Sequence, residues 1–287
     1  MAKLKVRFGV GLGASTPAGT LGDVADQAEA AGIDSLWLSE HIHSPAADPF
    51  IGMAHVLART RRLKAGTSVA VLPGRQPTLV AKQLASLAAL TPGRVLPVFG
   101  LQPARRAERA YFPLPAGVRR GDAFDEALRD LRAALTGGDL GPGSGSGPGK
   151  PLDLWLGGSA PAGLRRVGRH GDGWLGSFLT PPEARAAREA IEESAAEAGR
   201  AIDADHYGIS LTLADGELPP RLVATARDRR PGADPGRLAA ADWPRLHALL
   251  DEYIDAGLSK FVVYYAGTRP FPEFLARFAE ELLPRQN

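Results

Sequence analysis

Short apolar runs, rich in Val, Leu and aromatic residues, alternate along the chain with longer stretches whose apolar positions recur at helical spacing. The runs predict strands at Val6–Val10, Ser35–Leu38, Leu63–Val71, Arg94–Phe99, Leu152–Leu156, Trp174–Ser177, Tyr207–Leu213 and Lys260–Tyr265. Most are apolar throughout rather than alternating, the pattern of parallel strands covered on both faces. Between them the spacing predicts helices at Leu21–Ala31, Pro49–Thr60, Pro77–Leu90, Asp122–Leu135, Pro161–Arg169, Pro182–Gly199, Trp243–Ala256 and Phe271–Leu283. Thr180-Pro181-Pro182-Glu183 marks a capped helix start, and Ala31-Gly32 and Ala256-Gly257 mark helix stops.

Strict alternation of this kind, at roughly 36 residues per strand–helix unit, predicts a single (β/α)8 barrel. A doubly wound open sheet is the competitor. It is disfavoured because Gly9-Val10-Gly11-Leu12-Gly13-Ala14 lacks the third glycine of a dinucleotide fingerprint. Two segments interrupt the rhythm. Gly137–Lys150 is almost pure Gly, Ser and Pro and reads as a shortened, flexible connection. Asp215–Asp242, rich in Arg, Pro and Asp with one apolar piece at Leu222–Ala226, reads as an excursion. Neither has the character of a boundary, so residues 1–287 are expected to form one domain.

Composition narrows the function. Hydrophobic residues at 44% and charged residues at 23% describe an ordinary globular chain. With 34 Lys and Arg against 32 Asp and Glu, net charge is +2, which argues against a nucleic-acid face. The absence of cysteine excludes disulfides, iron–sulfur clusters, thiolate zinc sites and a cysteine nucleophile. No apolar run approaches the ~20 residues of a membrane span, and the start does not read as a signal peptide, so a cytoplasmic location is expected.

In a barrel of this type the chemistry sits where the strands end. Gly157-Gly158-Ser159-Ala160 follows the fifth strand and opens a helix, so its backbone N–H groups are placed to meet a phosphate. The same residues also suit an ordinary tight turn with a serine N-cap. After the second strand, Glu40-His41-Ile42-His43 offers His41 as a proton-transfer or hydrogen-bonding group above a ligand ring. A metal site on His41 and His43 is the other reading, but it lacks further ligands from later strands, and no metal is expected. Most of Phe8, Trp37, Trp155, Trp174 and Phe178 are expected in the core, with stacking on a ligand open to any one of them.

These residues also carry a likeness. Gly32–His41, Gly66–Pro73 with Pro77 and Ala81–Leu87, Pro92–Val95, Trp155–Ser159 and Gly171–Trp174 together resemble the luciferase-like monooxygenase family, and within it the actinobacterial oxidoreductases that use coenzyme F420. The resemblance spans nearly the whole chain. It implies hydride transfer between a reduced deazaflavin (FMN being the alternative) and a small organic substrate in a homodimer. It places the cofactor phosphate on Gly157, Gly158, Ser159 and Ala160. It also implies a cis peptide at Ser68–Val69, with Ser68, Val69 and Ala70 forming a bulge behind the ring, and it sets Glu40 and His41 beside the cofactor as the catalytic pair. Three places depart from the family pattern. Only Gly100 remains of a G-x-G-x-G turn after the fourth strand, Tyr264-Tyr265 stands where an Arg-Pro pair is usual, and the 137–150 connection is short. A barrel that keeps the fold without turnover, engineered or edited, is therefore carried as the alternative.

Overall fold

The computed structural model describes residues 4–137, 145–147 and 150–287. Eight parallel strands form its inner wall. They are β1 (Arg7–Leu12), β2 (Ser35–Leu38), β3 (Lys64–Thr67 continued by Ala70–Val71), β4 (Val95–Leu96 continued by Val98–Gly100), β5 (Trp155–Gly157), β6 (Gly173–Ser177), β7 (Tyr207–Leu213) and β8 (Lys260–Tyr265). Each pairs with its neighbours in sequence and β8 pairs with β1, so the wall closes on itself as a (β/α)8 barrel.

Two of the strands are broken without opening the ring. The cis Ser68–Val69 peptide divides β3, and Pro97, which has no N–H to give, divides β4. The leading halves pair through Ala65 and Val95, the trailing halves through Ala70 and Phe99. The uninterrupted run expected at Leu63–Val71 is thus two short pieces around a bulge.

Nine α-helices are found among the described residues: α1 (Leu21–Ala30), α2 (Pro49–Arg59), α3 (Pro77–Leu90), α4 (Arg120–Thr136), α5 (Pro161–His170), α6 (Pro181–Glu197), α7 (Pro220–Arg229), α8 (Trp243–Asp255) and α9 (Phe271–Leu282). Several begin at Asp or Thr caps, of which the sequence indicated the one at Thr180. Asp48 accepts from the amides of Phe50 and Ile51, Asp242 from Arg245, and Thr180 and Glu183 form a capping box. The unexpected helix is α7, inside the 215–242 excursion. It buries only Ala226, so it has no apolar stripe for a reader of the sequence to find. The Gly137–Lys150 connection lies outside the described residues, apart from backbone pairing of Gly145–Gly147 with Lys150–Pro151.

The main core lies between the outer face of the ring and the helices, as in the Phe8–Phe261 stack at 5.5 Å. Inside the ring is a smaller cluster of Trp37, Val98, Trp155, Leu175 and Val262. Bulk alternates with its absence there. A β-carbon on Gly66 would fall 2.8 Å from the Trp37 ring, and one on Gly173 would collide with Trp155.

The N-terminal end of the ring is sealed by ion pairs. Asp34 receives Lys64 Nζ at 2.9 Å, Lys260 Nζ at 2.7 Å and the Ser35 hydroxyl at 3.0 Å. Ser35 in turn accepts from Trp37 Nε1 at 2.9 Å. The chain end closes the same face, with Gln286 and Asn287 accepting from the amides of Phe8 and Val6. No helix among the described residues is long and apolar enough to cross a membrane.

Candidate functional site

The opposite end of the ring, where the strands finish, gathers most of the residues singled out above. Its floor is Val69 and Tyr264, both packed on the inner cluster. The Tyr264 ring lies across β1, where a β-carbon on Gly11 would be 2.5 Å away. Its hydroxyl donates to the Ser68 carbonyl at 3.3 Å and meets Ser39 Oγ at 2.9 Å, while Ser39 reaches the same carbonyl at 3.2 Å. Burial raises the phenol above its ordinary 10.0, so it stays a donor.

Val69 explains two of the glycines. A β-carbon on Gly100 would stand 2.5 Å from Val69 Cγ2, and one on Gly157 would stand 2.9 Å from Val69 Cγ1. Both glycines therefore make room for a side chain of the protein. Gly100, the glycine that survives of the family turn, is one that Val69 requires. Ala70 is buried directly behind, next to Phe99 of β4.

Gly158 is different. It has φ +120°, and a β-carbon there would meet nothing within 4 Å. It is exposed, as are Ser159 and Ala160, and it leads into α5. The helix cap is Ala160, not the serine, and it makes no side-chain capping bond. No acidic residue occupies the first turn either. The positive end of α5 is left open beside a backbone that bulk has not covered. Of the arginines that follow, Arg166 is withdrawn: it is buried and bound to Asp125 at 2.5 Å and to the Gly121 carbonyl.

Glu40 is placed beside the mouth with both oxygens engaged. One accepts from the Val71 amide at 2.7 Å and the other pairs with Arg75. Arg75 lies between the rings of Phe50 (5.4 Å) and Phe112 (5.3 Å). Burial pushes the carboxyl upward, while Arg75 and the Val71 amide pull the other way. Its geometry is that of a brace for the end of β3.

His41 is half-buried, and its Nδ1 is buried without a hydrogen-bond partner. Burial lowers its pKa below the ordinary 6.5, opposed by Glu108 and assisted by Arg105. Glu108 was not singled out from the sequence. It lies on a 3-10 turn, Arg106–Tyr111, between β4 and α4. Its side chain is 1% exposed, yet Oε2 has no partner and Oε1 accepts only a 3.3 Å bond from the His43 amide, with Arg105 at 3.8 Å. A carboxylate buried with an unused oxygen near an imidazole with an unused nitrogen is a costly arrangement. The only signal in the sequence is an acid among arginines, which reads as solvated surface. His43 does not share a site with His41; its ring bonds the Tyr111 hydroxyl at 2.9 Å.

The profile of the luciferase-like monooxygenase family matches residues 2–256. Among curated proteins, the F420-dependent glucose-6-phosphate dehydrogenase of Beutenbergia cavernae is 29% identical over 308 residues, covering 90% of each chain. A phthiodiolone/phenolphthiodiolone dimycocerosates ketoreductase of Mycobacterium sp. (strain JLS) is 27% identical over 70% of this chain and 63% of its own. Among solved structures, an F420-dependent secondary alcohol dehydrogenase in complex with an F420–acetone adduct aligns with TM-score 0.78 at 19% identity. That alignment covers 99% of this chain and 100% of the other. The F420-dependent tetrahydromethanopterin reductase from Methanopyrus kandleri aligns with TM-score 0.74 at 17% identity, over 99% and 100%.

Proposed function

The chain belongs to the luciferase-like monooxygenase family, and on that premise we propose that it is an oxidoreductase that moves a hydride between coenzyme F420 and a small organic substrate. The observation that carries the cofactor reading is the uncapped N-terminus of α5 beneath Gly158. A phosphate fits there, because no side chain caps the first turn and no β-carbon fills the approach, although Pro161 has no N–H and the Gly163 and Leu164 amides already donate to the Ala160 carbonyl. Ser159 and Ala160 would hold that phosphate, and Val69 with Tyr264 would carry the ring.

Bound there, the cofactor supplies the two-electron acceptor or donor, and the substrate passes between alcohol and carbonyl. The chain's own residues handle the proton. Neutral His41 takes the hydroxyl proton as the alcohol is oxidised and returns it in the reverse direction. Glu108 stabilises the imidazolium so formed, and Glu40 with Arg75 braces the end of β3. The reading treats the chain as one cytoplasmic barrel domain. The scaffold alternative has no support in these relatives, which are named as enzymes.

Titrating the protein with F420 and with FMN, followed by fluorescence, tests the reading. F420 is expected to bind at micromolar concentrations and more tightly than FMN. Binding of neither cofactor sinks it.

Homodimerisation is part of the same reading. Ile51 on α2 and Leu79 and Leu90 on α3 are 70%, 65% and 78% exposed, an apolar surface on adjacent helices that a second copy would cover. Light scattering should then give about twice the 30.2 kDa of one chain.

A further inference from the structure

Resting on the oxidoreductase reading above, we propose that Arg109 and Arg120, on the connection from β4 to α4, form an anion subsite at the mouth. The substrate is accordingly an alcohol or carbonyl compound that carries a carboxylate or a phosphate. The connection is pinned to the rim at two points. Beyond β2, Glu108 accepts from the His43 amide at 3.3 Å. Beyond β3, a β-carbon on Gly74 would stand 2.7 Å from the Phe112 carbonyl carbon, so close do the two backbones pass. Arg109 falls between these pins, next to Glu108, and its carbonyl accepts from the Phe112 amide at 3.1 Å. Arg120 opens α4 but reaches back, giving Nη2 to the Phe112 carbonyl at 2.9 Å. Both arginines are thus tied to Phe112, one through its backbone and the other through its side chain. The acid that acts on His41 is their neighbour.

Charge along this segment leaves these two cations over. From Leu101 to Asp125 the acids are Glu108, Asp122 and Asp125. Glu108 has Arg105 at 3.8 Å, Asp122 has Arg119 at 2.7 Å and Asp125 has Arg166 at 2.5 Å. Across the rim, Glu40 has Arg75. Arg109 and Arg120 are half-buried and pair with no carboxylate, and each holds an N–H that is buried and unmet, Nε in Arg109 and Nη1 in Arg120. No other arginine among the described residues does so. With His41 Nδ1 and Glu108 Oε2 they make up four of the six buried side-chain atoms that lack a partner there. The other two, Gln27 Oε1 on α1 and Tyr207 Oη at the start of β7, belong to neutral side chains and stand singly. A guanidinium short of both water and counter-charge costs more than such a neutral group. An oxyanion supplies what both arginines lack, since its oxygens accept from guanidinium N–H groups and its charge offsets theirs. Arg106 on the same turn and Arg229 on the far wall also lack a carboxylate, but both are exposed, and Arg229 faces the Phe178 ring at 4.9 Å.

The test uses F420-loaded protein, so that the end of α5 is already filled. Calorimetric titration with inorganic phosphate and with succinate reads the anion subsite directly. Turnover of cyclohexanol, 4-hydroxycyclohexanecarboxylate and glucose 6-phosphate, followed by loss of F420 visible absorbance, reads the substrate class, and the better of the two anions tells carboxylate from phosphate. One anion is expected to bind per chain. Arg109→Gln and Arg120→Gln should each weaken it about tenfold, the loss of one charge-assisted hydrogen bond, and should raise KM for the anionic alcohols more than they lower kcat. Arg106→Gln removes the same charge from the same turn and should change anion affinity by less than about twofold. Because Arg120 also holds Phe112, Arg120→Lys keeps the charge and should recover part of the affinity. The inference is overturned by no anion binding, by an equal loss in Arg106→Gln, or by a preference for cyclohexanol. A fall in F420 affinity in Arg109→Gln also overturns it, since the arginines would then serve the cofactor. Each of these results leaves the cofactor reading standing. Failure of F420 to bind at all removes the reading and the inference together.

Discussion

The two ends of the barrel treat buried polar groups in opposite ways. At the N-terminal end, each oxygen of Asp34 meets an ammonium, the Ser35 and Trp37 donors are matched, and the last residues of the chain cover the amides of β1. At the C-terminal end, His41 Nδ1 and Glu108 Oε2 are buried and matched by nothing in the chain. Both arrangements cost desolvation. Only the first recovers it within the fold, so the first serves stability, while the second leaves His41 and Glu108 with desolvation that no bond in the chain offsets. Unmet polar capacity beside His41 marks the candidate mouth, although Tyr207 Oη at the start of β7 and Gln27 Oε1 on α1 are also buried without partners.

The comparison breaks most readily at Asp34. Asp34→Asn leaves Lys260, buried beside Trp37, without its counter-charge, and should lower unfolding free energy by about 3–5 kcal/mol in denaturant titration. F420 affinity of the folded fraction should not change. The wild-type contribution has a pH sign. Lys64 and Lys260 hold the Asp34 carboxyl far below its ordinary 3.8, so its stabilisation is full above that value and is lost as pH falls further. An Asp34→Asn protein as stable as wild type would mean that the sealed end is ornamental.

The next effect is at the mouth. Glu108→Gln keeps the shape of the turn and removes the charge, and kcat should fall about a hundredfold with little change in thermal midpoint. Because burial lowers the His41 pKa, the neutral imidazole persists below pH 6.5, and alcohol oxidation should lose its acid limb only under that value. With Glu108→Gln that limb should move further down, since the carboxylate was the group raising the His41 pKa. A pH profile indifferent to Glu108 would return the residue to the structural side of the comparison.

The smallest effect tests the phosphate cradle. Gly158→Val adds a branched side chain at φ +120° over the α5 amides, with a strain of about 1 kcal/mol. F420 affinity should fall tenfold or more through loss of a charge-assisted contact. Unchanged affinity would move the phosphate elsewhere.

Much of the stable part of the molecule was legible in the sequence. Continuous apolar runs and capped, periodic helices specify the ring and its coat, because burial on both faces leaves little choice of residue. Of the proposed site, the sequence singles out Gly158 and His41, where the argument is local. It was not legible where tertiary packing reassigns a residue. Glu108 stands among Arg105, Arg106 and Arg109 and looks solvated, yet the turn folds it inward. Gly100 and Gly157 look like backbone meant for a ligand, and they are occupied by Val69. Arg166, a turn along α5, is drawn to Asp125 by a helix that lies 41 residues earlier in the chain. The helix α7 buries only Ala226, so no hydrophobic pattern announces it in the sequence.

The Val69 contact has a consequence for how this chain can change over generations. Its two methyl groups occupy the space of two absent β-carbons, at Gly100 and Gly157. An alanine at either glycine is blocked while valine stands at 69 and becomes accessible once that residue is trimmed to alanine or glycine. The order of events is therefore constrained, with position 69 first and the glycines afterwards. Among descendants of this sequence, the three positions should be inherited as one linked character, although the outermost two lie 88 positions apart in the chain.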